Sequence, residues 1–365
     1  MGSLSAQEKK STYTLNGYID VDTGKIRLSL QLGDGFYPFD TAKEAVIDHG
    51  KFTFTGITSY PFAYFLQAGT YYLSGDFFIG SGIQTITCYK DSLRVVPRIS
   101  NKTMGEYRGS YRSAFLGYRD KYDKFQAQYD SLKNAYSGHL PDSLLIKRAR
   151  QSAQLNQLFY RTLITYIKKH PDSYVALSKF GHSLEFGYSP IFDSVYAQFS
   201  STLKHTYTGK AIKKKLDAAK TTDIGKVFPR LALLDTGLSS QTLSLKDGAH
   251  KYTLIDFWYS HCGPCLGQFP KYKKIYDKYN ESGLEIVGIS VDKSKDINDW
   301  KKVMHEKELP WPQYLDENGK LADGLVIYSF PRNFLLDGHN TIIKKDITPE
   351  QLEQIMTQTL PSNLK

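Results

Sequence analysis

In the first 90 residues, hydrophobic and polar positions alternate in short runs separated by turn residues. The runs occupy residues 12–19, 25–30, 48–56, 63–66, 76–80 and 84–89. Alternation with a period of two is typical of strands that bury one face, and the glycine-containing segments between runs indicate hairpins. The pattern therefore predicts an antiparallel β sandwich or barrel over residues 11–100.

From residue 103 to residue 220, hydrophobic positions recur with helical spacing. Four aromatic residues stand three or four positions apart: Tyr107, Tyr111, Phe115 and Tyr118. This spacing places the rings on one face of a helix. A second helix is predicted from about Pro141 to His170, and a cap-like segment at 171–173 precedes a third. We interpret the aromatic stripe as packing against the β domain or a neighbouring subunit, which leaves open a homodimer through the β or helical region.

The C-terminal part of the chain alternates strand and helix patterns. They cover an apolar run at 252–257, helical spacing at 264–279, a second apolar run at 283–292 and a polar helix at 296–308. Cys262 and Cys265 stand where the first apolar run gives way to the helix, separated by Gly263 and Pro264. The unpaired N–H groups and the dipole of a helix N-terminus stabilise a thiolate there. Because thiolate is the reactive species, we predict that Cys262 attacks a disulfide and Cys265 resolves the product.

A cysteine pair also has two other common uses. A closed zinc site needs four ligands, but the third cysteine of the chain, Cys88, lies in the predicted β domain. A purely structural disulfide between Cys262 and Cys265 would close a loop too short to restrict the unfolded chain much. We therefore predict no metal site. Cys88 is interpreted as a core residue, with a regulatory thiol as the alternative.

The segment from Leu254 to Cys265 resembles the active-site strand and turn of the thioredoxin superfamily, and the resemblance extends over about 223–360. In that family, an aspartate six positions before the first cysteine lies beneath the second, and Asp256 stands at the matching position. The resemblance implies that burial raises the pKa of Asp256, which then takes the proton from Cys265. The alternative for Asp256 is a hydrogen-bonding residue at the strand end. Trp258, at the end of the same run, is assigned to substrate binding.

The run from Ser329 to Asp337 resembles the segment that holds the cis-proline of the superfamily. The resemblance implies that Pro331 is cis and lies against the cysteine pair, and that the backbone of Phe330 binds the substrate peptide. An ordinary trans proline that opens an edge strand is the alternative.

The strand–helix insertion at 283–308 resembles the TlpA/ResA group of extracytoplasmic thiol–disulfide proteins. The segments 48–56 and 75–82 resemble an uncharacterised β domain that precedes thioredoxin-like domains in bacterial envelope proteins. Members of the group often carry a glutamate three residues after the second cysteine, where this chain has Gln268. The peroxiredoxin pattern P-x-x-x-T-x-x-C is absent, since Ile255 and Tyr259 occupy its Pro and Thr positions.

Net charge and the length of the apolar runs bear on two further functions, nucleic-acid binding and membrane spanning. The chain of 365 residues carries a net charge of +10, and its densest basic segment is 210–220. This segment has neither interleaved aromatic residues nor an Arg-rich motif, so we do not expect nucleic-acid binding. No run of 18 apolar residues is present, and none is expected to span a membrane. The first ten residues lack a charged n-region and an apolar h-region, which predicts a leader that follows a removed signal.

We therefore predict a multidomain bacterial protein of the periplasm or cell envelope: a leader (1–10), an antiparallel β domain (11–100), a helical region (103–220) and an α/β thioredoxin-like domain (223–365). It would reduce protein disulfides through Cys262 and Cys265. No cofactor is predicted beyond this pair because dinucleotide and flavin fingerprints are absent, so electrons must come from a membrane or envelope donor. Gly263 and Pro264 favour a reductase, whereas His261 beside Cys262 would stabilise the thiolate and raise the potential. A scaffold protein with a docking module, a disulfide oxidase or isomerase, and a peroxidase are the alternatives.

Overall fold

The computed structural model describes residues 10–32, 42–68, 71–72, 74–89, 98–137, 140–184, 188–243 and 245–361. The predicted leader, except for its last residue, lies outside the described residues. The chain divides into two compact units: 1–183 with 189–213, and 184–188 with 214–365. The first unit contains the predicted β domain and most of the helical region, and the second contains the predicted thioredoxin-like domain. The boundary between the units falls within the last helix of the helical region.

In the first unit, the described strands are β1 (Ser11–Tyr18), β2 (Thr23–Leu30), β3 (Ala42–Asp48), β4 (Lys51–Thr58), β5 (Phe62–Ala68), β6 (Tyr71–Tyr72), β7 (Phe77–Ile79), β8 (Gly82–Thr87) and β9 (Arg98–Ile99). They form one hydrogen-bonded sheet in the order β6-β5-β2-β3-β4-β1-β8-β9, with β7 beside β5. The predicted antiparallel pairing is wrong for one pair, since β1 and β8 run parallel. A parallel pair needs a long connection, and six strands provide it here.

Two glycines of this sheet lie beneath aromatic rings. A Cβ atom on Gly17 would lie 1.9 Å from the ring of Phe52, and one on Gly56 would lie 2.5 Å from the ring of Tyr13. Each glycine pairs in register with the residue whose ring covers it. The interpretation of Cys88 as a core residue is confirmed, because it is 3% exposed. Burial raises the pKa of its thiol to about 11.

The described helices of the helical region are α1 (Lys102–Glu106), α2 (Arg112–Ala114), α3 (Leu116–Ala135), α4 (Asp142–Lys169), α5 (Tyr174–Ser183), α6 (Ile191–Gln198), α7 (Ser201–His205) and α8 (Tyr207–Lys220). A π-helical turn, Tyr107–Tyr111, joins α1 to α2. The aromatic stripe is core at its beginning, where Tyr111 and Phe115 are buried and stack with ring centroids 4.6 Å apart. It becomes exposed along α3, where Tyr122 is 40% exposed.

In the second unit, the described strands are β10 (Leu231–Leu234), β11 (Ser240–Leu243), β12 (Tyr252–Trp258), β13 (Leu284–Ser290), β14 (Gln313–Leu315), β15 (Arg332–Asp337) and β16 (Ile342–Lys345). The helices are α9 (Gly263–Tyr279), α10 (Ile297–Lys307), α11 (Lys320–Gly324) and α12 (Pro349–Thr359). The sheet order is β11-β10-β14-β13-β12-β15-β16. Strand β12 is parallel to β13 and antiparallel to β15, so the predicted mixed sheet with flanking helices is confirmed.

Strand β12 separates two hydrophobic clusters of this unit. Leu254 and Trp258 belong to the cluster that contains residues of α9 and α12, whereas Ile255 and Phe257 belong to the cluster on the opposite face. Successive side chains of a strand point to opposite faces. Asp256 therefore points toward α9 and α12. Among the described residues, no helix combines the length and the apolar character that crossing a bilayer requires.

Candidate redox site

The N-terminus of helix α9 holds the cysteine pair. Cys262 is the N-cap residue with an extended backbone, and the N–H of Cys265 donates to its Sγ at 3.2 Å. Pro264 lies in the first turn of α9, where backbone N–H groups have no acceptor within the helix, so the missing N–H of proline costs no hydrogen bond. The two sulfurs form a disulfide, with Cα atoms 5.3 Å apart. In the reduced protein, the N–H that faces Cys262 Sγ would stabilise a thiolate.

The disulfide is buried in the second unit. Cys262 is 2% exposed and Cys265 is 1% exposed, whereas Gly263 and Pro264 of the intervening turn are exposed. Tyr259, which the sequence argument did not assign to the site, packs against the same cluster as the two cysteines. Its ring meets that of Phe330 edge to face, with centroids 5.7 Å apart.

Pro331 lies immediately before strand β15. The Phe330–Pro331 peptide bond is cis, the geometry that the family resemblance implies. Arg332 pairs in register with Phe257, near the end of β12 that leads to the cysteines. The proline therefore stands beside the loop between β12 and α9. Its predicted part in binding substrate stays a prediction.

Asp256 is a buried carboxyl group beneath this surface. It is 2% exposed, and burial raises its pKa to about 8. Its Oδ1 has no hydrogen-bond partner among the described residues. Because the side chain points toward α9, it lies on the face of the sheet that carries both cysteines. A carboxyl group with this pKa changes between acid and base near neutral pH.

Two polar residues beside Asp256 were missed in the sequence. Asn333 of β15 pairs in register with Asp256, and its Nδ2 donates to the Oη of Tyr272 at 3.2 Å. Tyr272 is fully buried on α9; burial and then the charge of Asp256 raise its pKa. Residues 265, 269 and 272 follow the helical spacing i, i+4, i+7, so this periodicity would have placed Tyr272 on the face of Cys265.

Trp258 requires a correction. It was assigned to substrate binding, but the structure buries it completely, with 0% exposure. Its Nε1 donates to the Oε1 of Gln313 at 3.2 Å, and its ring meets Phe269 edge to face. The alternation of β12 turns this side chain into the core rather than toward the surface.

The position of the family glutamate is occupied by a half-buried amide. Gln268 lies on α9 one turn after Cys265, and its Oε1 is buried without a partner among the described residues. An amide does not titrate. Asp256 is consequently the buried carboxyl group that the structure places on the face of the two cysteines.

A buried aspartate anchors the loop between β12 and α9. Asp292 accepts hydrogen bonds from the N–H of Ser260 at 2.9 Å and from its hydroxyl at 2.6 Å. The hydroxyl of Ser290 donates to the same carboxylate at 2.5 Å. Nothing local in the sequence indicated this role, because Asp292 lies 32 positions from Ser260. These bonds fix the loop that carries His261 and Cys262.

His261 stands on the surface beside the cysteine pair. Its Nε2 lies 3.2 Å from Oδ2 of Asp299 on α10. Together with Asp296, these residues form a group whose potential ligand atoms lie within 4.8 Å of one another. All three belong to the surface of the site, and His261 and Asp299 are exposed.

A mixed sheet, a disulfide at the N-terminus of the following helix and a cis-proline at the start of a neighbouring strand define a thioredoxin-like protein. Residues 224–345 match the model of the AhpC/TSA family. The thiol–disulfide oxidoreductase ResA of Bacillus thuringiensis subsp. konkukian (strain 97-27) is 30% identical over 142 residues, 38% of this chain and 80% of that protein. The chain belongs to this thioredoxin-like AhpC/TSA family, and ResA thiol–disulfide oxidoreductases are its homologues.

Two further proteins are similar to this chain. The sporulation thiol–disulfide oxidoreductase A of Bacillus subtilis (strain 168) is 27% identical over 146 residues, which are 39% of this chain and 86% of that protein. Among solved structures, the thioredoxin domain of a thiol–disulfide oxidoreductase from Bacteroides vulgatus is 29% identical. It covers 38% of this chain and 99% of its own, with a TM-score of 0.34.

Proposed function

We propose that this protein reduces disulfide bonds of proteins or peptides in the bacterial periplasm or cell envelope. The observation that carries the proposal is the Cys262–Cys265 disulfide at the N-terminus of α9. Its setting supports the same chemistry, with a cis-proline at position 331 and the buried acid Asp256 on the same side of the sheet.

The proposed cycle begins with the reduced cysteine pair. The thiolate of Cys262 attacks one sulfur of a substrate disulfide, so that a mixed disulfide forms and the other substrate sulfur leaves as a thiolate. Asp256 then takes the proton of Cys265, whose thiolate attacks Cys262 Sγ. The Cys262–Cys265 disulfide forms, the mixed disulfide breaks, and the second substrate thiolate is protonated. Two electrons pass from the protein to the substrate.

Substrate binding would involve the surface formed by Tyr259, Phe330 and Pro331. Phe330 precedes β15, so its backbone lies outside the ladder that joins β15 to β12. An extended peptide can pair with such a backbone segment, as strands pair with exposed edges elsewhere. The aromatic rings of Tyr259 and Phe330 would contact apolar side chains of the peptide beside the disulfide.

The residues between the cysteines support the proposed direction of electron flow. Thioredoxin has a potential of about −270 mV and the oxidant DsbA one of about −120 mV. Gly263 and Pro264 match the thioredoxin turn, so we propose a potential near the reducing value. The electrons would come from a membrane or envelope donor.

Substitution of the second cysteine tests the exchange chemistry. Cys265→Ala removes the group that resolves the mixed disulfide, so reduced Cys265→Ala should accumulate covalent adducts with disulfide-bonded insulin that dithiothreitol releases. The matched control is Cys262→Ala, which should form few adducts because the attacking sulfur is absent. Wild-type protein should reduce insulin catalytically. Absence of adducts and of insulin reduction would favour the alternative, a scaffold protein with a docking module.

The reduction potential tests the direction separately. A glutathione or dithiothreitol titration, followed by Trp258 fluorescence, should give a value near about −270 mV. A value near about −120 mV would identify an oxidase or isomerase instead. A peroxidase is not favoured, because Ile255 and Tyr259 replace the Pro and Thr of the peroxide-binding pattern.

A further inference from the structure

The polar side chains beneath the disulfide form a small buried cluster of Asp256, Tyr272 and Asn333. Each is 3% exposed or less. Asp256 and Asn333 are register partners on β12 and β15, and Tyr272 reaches Asn333 from α9. Buried polar groups normally have hydrogen-bond partners, so the bonds within this cluster can be followed atom by atom.

The amide of Asn333 is held in one orientation. Its Oδ1 accepts from the N–H of Ile347 at 3.0 Å, and its Nδ2 donates to the carbonyl of Ile347 at 2.9 Å. The second hydrogen of Nδ2 points to the Oη of Tyr272, 3.2 Å away. Tyr272 therefore acts as the acceptor in this bond, and the hydrogen of its own hydroxyl remains available for donation.

The acceptor that lacks a donor is on the same side of the sheet. Oδ1 of Asp256 is buried and has no partner among the described residues. The charge of Asp256 is the largest cause after burial that raises the pKa of Tyr272. Tyr272 is bonded to Asn333, the register partner of Asp256, so the two groups are neighbours, although no hydrogen bond joins them in the disulfide form.

We propose that Tyr272 is a positioning residue, whose hydroxyl, oriented by Asn333, donates a hydrogen bond to Oδ1 of Asp256 when that carboxyl group is ionised. This inference rests on the proposed disulfide exchange. During resolution, the proton of Cys265 moves to Asp256, so a carboxylate must exist there first. A carboxylate without a donor is costly in a buried site. Donation from Tyr272 stabilises it and lets a buried acid act as a base near neutral pH.

Other groups that face this cluster act differently. From α9, Cys265 is the proton donor itself. From α12, Glu350 also raises the pKa of Tyr272, but its carboxylate is paired with Lys271 at 2.5 Å. Strand β13 presents Gly288 opposite Asp256, which brings no side chain. Tyr272 thus supplies the hydroxyl of the cluster. Gln268, at the position of the family glutamate, does not titrate and adds no second acid to the site.

The test uses the resolution step in the full-length protein. Reduced protein reacts with Ellman's reagent, and the second release of thionitrobenzoate reports the attack of Cys265 on the mixed disulfide. In Tyr272→Phe, we expect the pH midpoint of this step to rise by about one unit and the rate at pH 7 to fall about tenfold, the size of a lost hydrogen bond to a charged group. The matched control is Tyr276→Phe, one turn further along α9, whose hydroxyl bonds to Glu285.

A double variant separates positioning from packing. If Tyr272 acts through Asp256, adding Tyr272→Phe to Asp256→Asn should slow resolution no further. A midpoint equal to that of the wild type would overturn the proposal. Equal slowing in both backgrounds would also overturn it.

A measurement on Asp256 itself tests the role of Tyr272 without relying on disulfide exchange. The infrared carboxyl band of Asp256, isolated by Asp256→Asn difference spectra, should titrate about one pH unit higher in oxidised Tyr272→Phe than in oxidised wild type. Unchanged titration overturns the role of Tyr272 whatever the activity. If Tyr272→Phe does not fold, the carboxylate band of Asp256 in the wild-type protein tests the proposal alone. A band at the frequency of a hydrogen-bonded carboxylate supports donation from Tyr272, and a band at the frequency of a carboxylate without a hydrogen bond contradicts it. Failure of wild-type protein to exchange with Ellman's reagent would instead count against the proposed function.

Discussion

His261 Nε2 lies 3.2 Å from Asp299 Oδ2, so the residue before the first cysteine is paired with helix α10. This helix lies between β13 and β14, in the insertion that the sequence indicated. Both side chains are more than half exposed, at 62% and 51%. The pair therefore brings an imidazole and a carboxylate to the edge of the disulfide, where solvent weakens the electrostatic influence of both groups.

Replacing His261 by Asn should make the protein slightly more reducing. The substitution removes an imidazole that stabilises a neighbouring thiolate when it is protonated, and it leaves the Asp299 carboxylate without its imidazole partner, so both changes disfavour a thiolate. We expect the pKa of the reduced Cys262 thiol to rise by a few tenths of a unit, because exposed pairs are weak. The pH dependence of alkylation by iodoacetamide measures this pKa. The difference should shrink at about 1 M salt, and equal pKa values at low salt would contradict the prediction.

Replacing Asp256 by Asn should stabilise the oxidised protein at alkaline pH. Burial raises the folded-state pKa of Asp256 to about 8, above the ordinary value of about 3.9. Between these values the folded protein binds a proton that the unfolded chain does not, so stability falls as pH rises and the loss is complete above about pH 8. The upper limit of this loss is of order 5 kcal/mol.

Urea unfolding of oxidised protein at several pH values measures this effect. The advantage of Asp256→Asn should be greatest near pH 8.5 and should shrink toward pH 4. The exposed Asp277→Asn is the control and should follow the wild type. A constant difference between Asp256→Asn and wild type over this range would show that the carboxyl group does not titrate as described.

Lys215 is a buried cation that anchors the segment before the cis-proline. It is 7% exposed on α8, its Nζ donates to the hydroxyl of Tyr328, and it lies 3.7 Å from Oδ1 of Asp323. Lys215→Met keeps the apolar stem but loses these interactions. We expect a loss of stability of about 1–2 kcal/mol, because the carboxylate of Asp323 is half exposed and stays solvated. Thermal unfolding measures it, and the exposed neighbour variant Lys214→Met should behave as wild type.

The features of the site that sequence patterns indicated are local ones. The position of Cys262 and Cys265 at a helix start follows from an apolar run and the helical spacing after it. The role of Pro331 was indicated by the resemblance of residues 329–337 to the segment that holds the cis-proline of the superfamily. Strand periodicity also predicts the burial of Trp258. Positions 254, 256 and 258 share one face of the strand, so the burial of Leu254 implies that of Trp258.

The contacts that were missed join residues distant in the chain. The bond from Asn333 to Tyr272 spans 61 positions, and that from Lys215 to Tyr328 spans 113. Such pairs depend on strand register and on how a helix packs, which no local pattern specifies. The parallel pairing of β1 with β8 was missed for the same reason, because β8 follows β1 only after six intervening strands.

Gly288→Ala should disturb Trp258 through Gln313. A Cβ atom on Gly288 would lie 2.3 Å from the Oε1 of Gln313, the atom that accepts the Trp258 Nε1 hydrogen bond. The amide must move, so the indole N–H of the fully buried Trp258 loses its acceptor. We expect a stability loss of about 1–3 kcal/mol and a changed Trp258 emission in the oxidised protein. The control Gly267→Ala, on α9 with open space around the added carbon, should gain about 0.5–1 kcal/mol. Denaturant unfolding followed by tryptophan fluorescence measures both variants. An unchanged spectrum in Gly288→Ala would mean that the added methyl group does not displace the amide of Gln313 from Trp258.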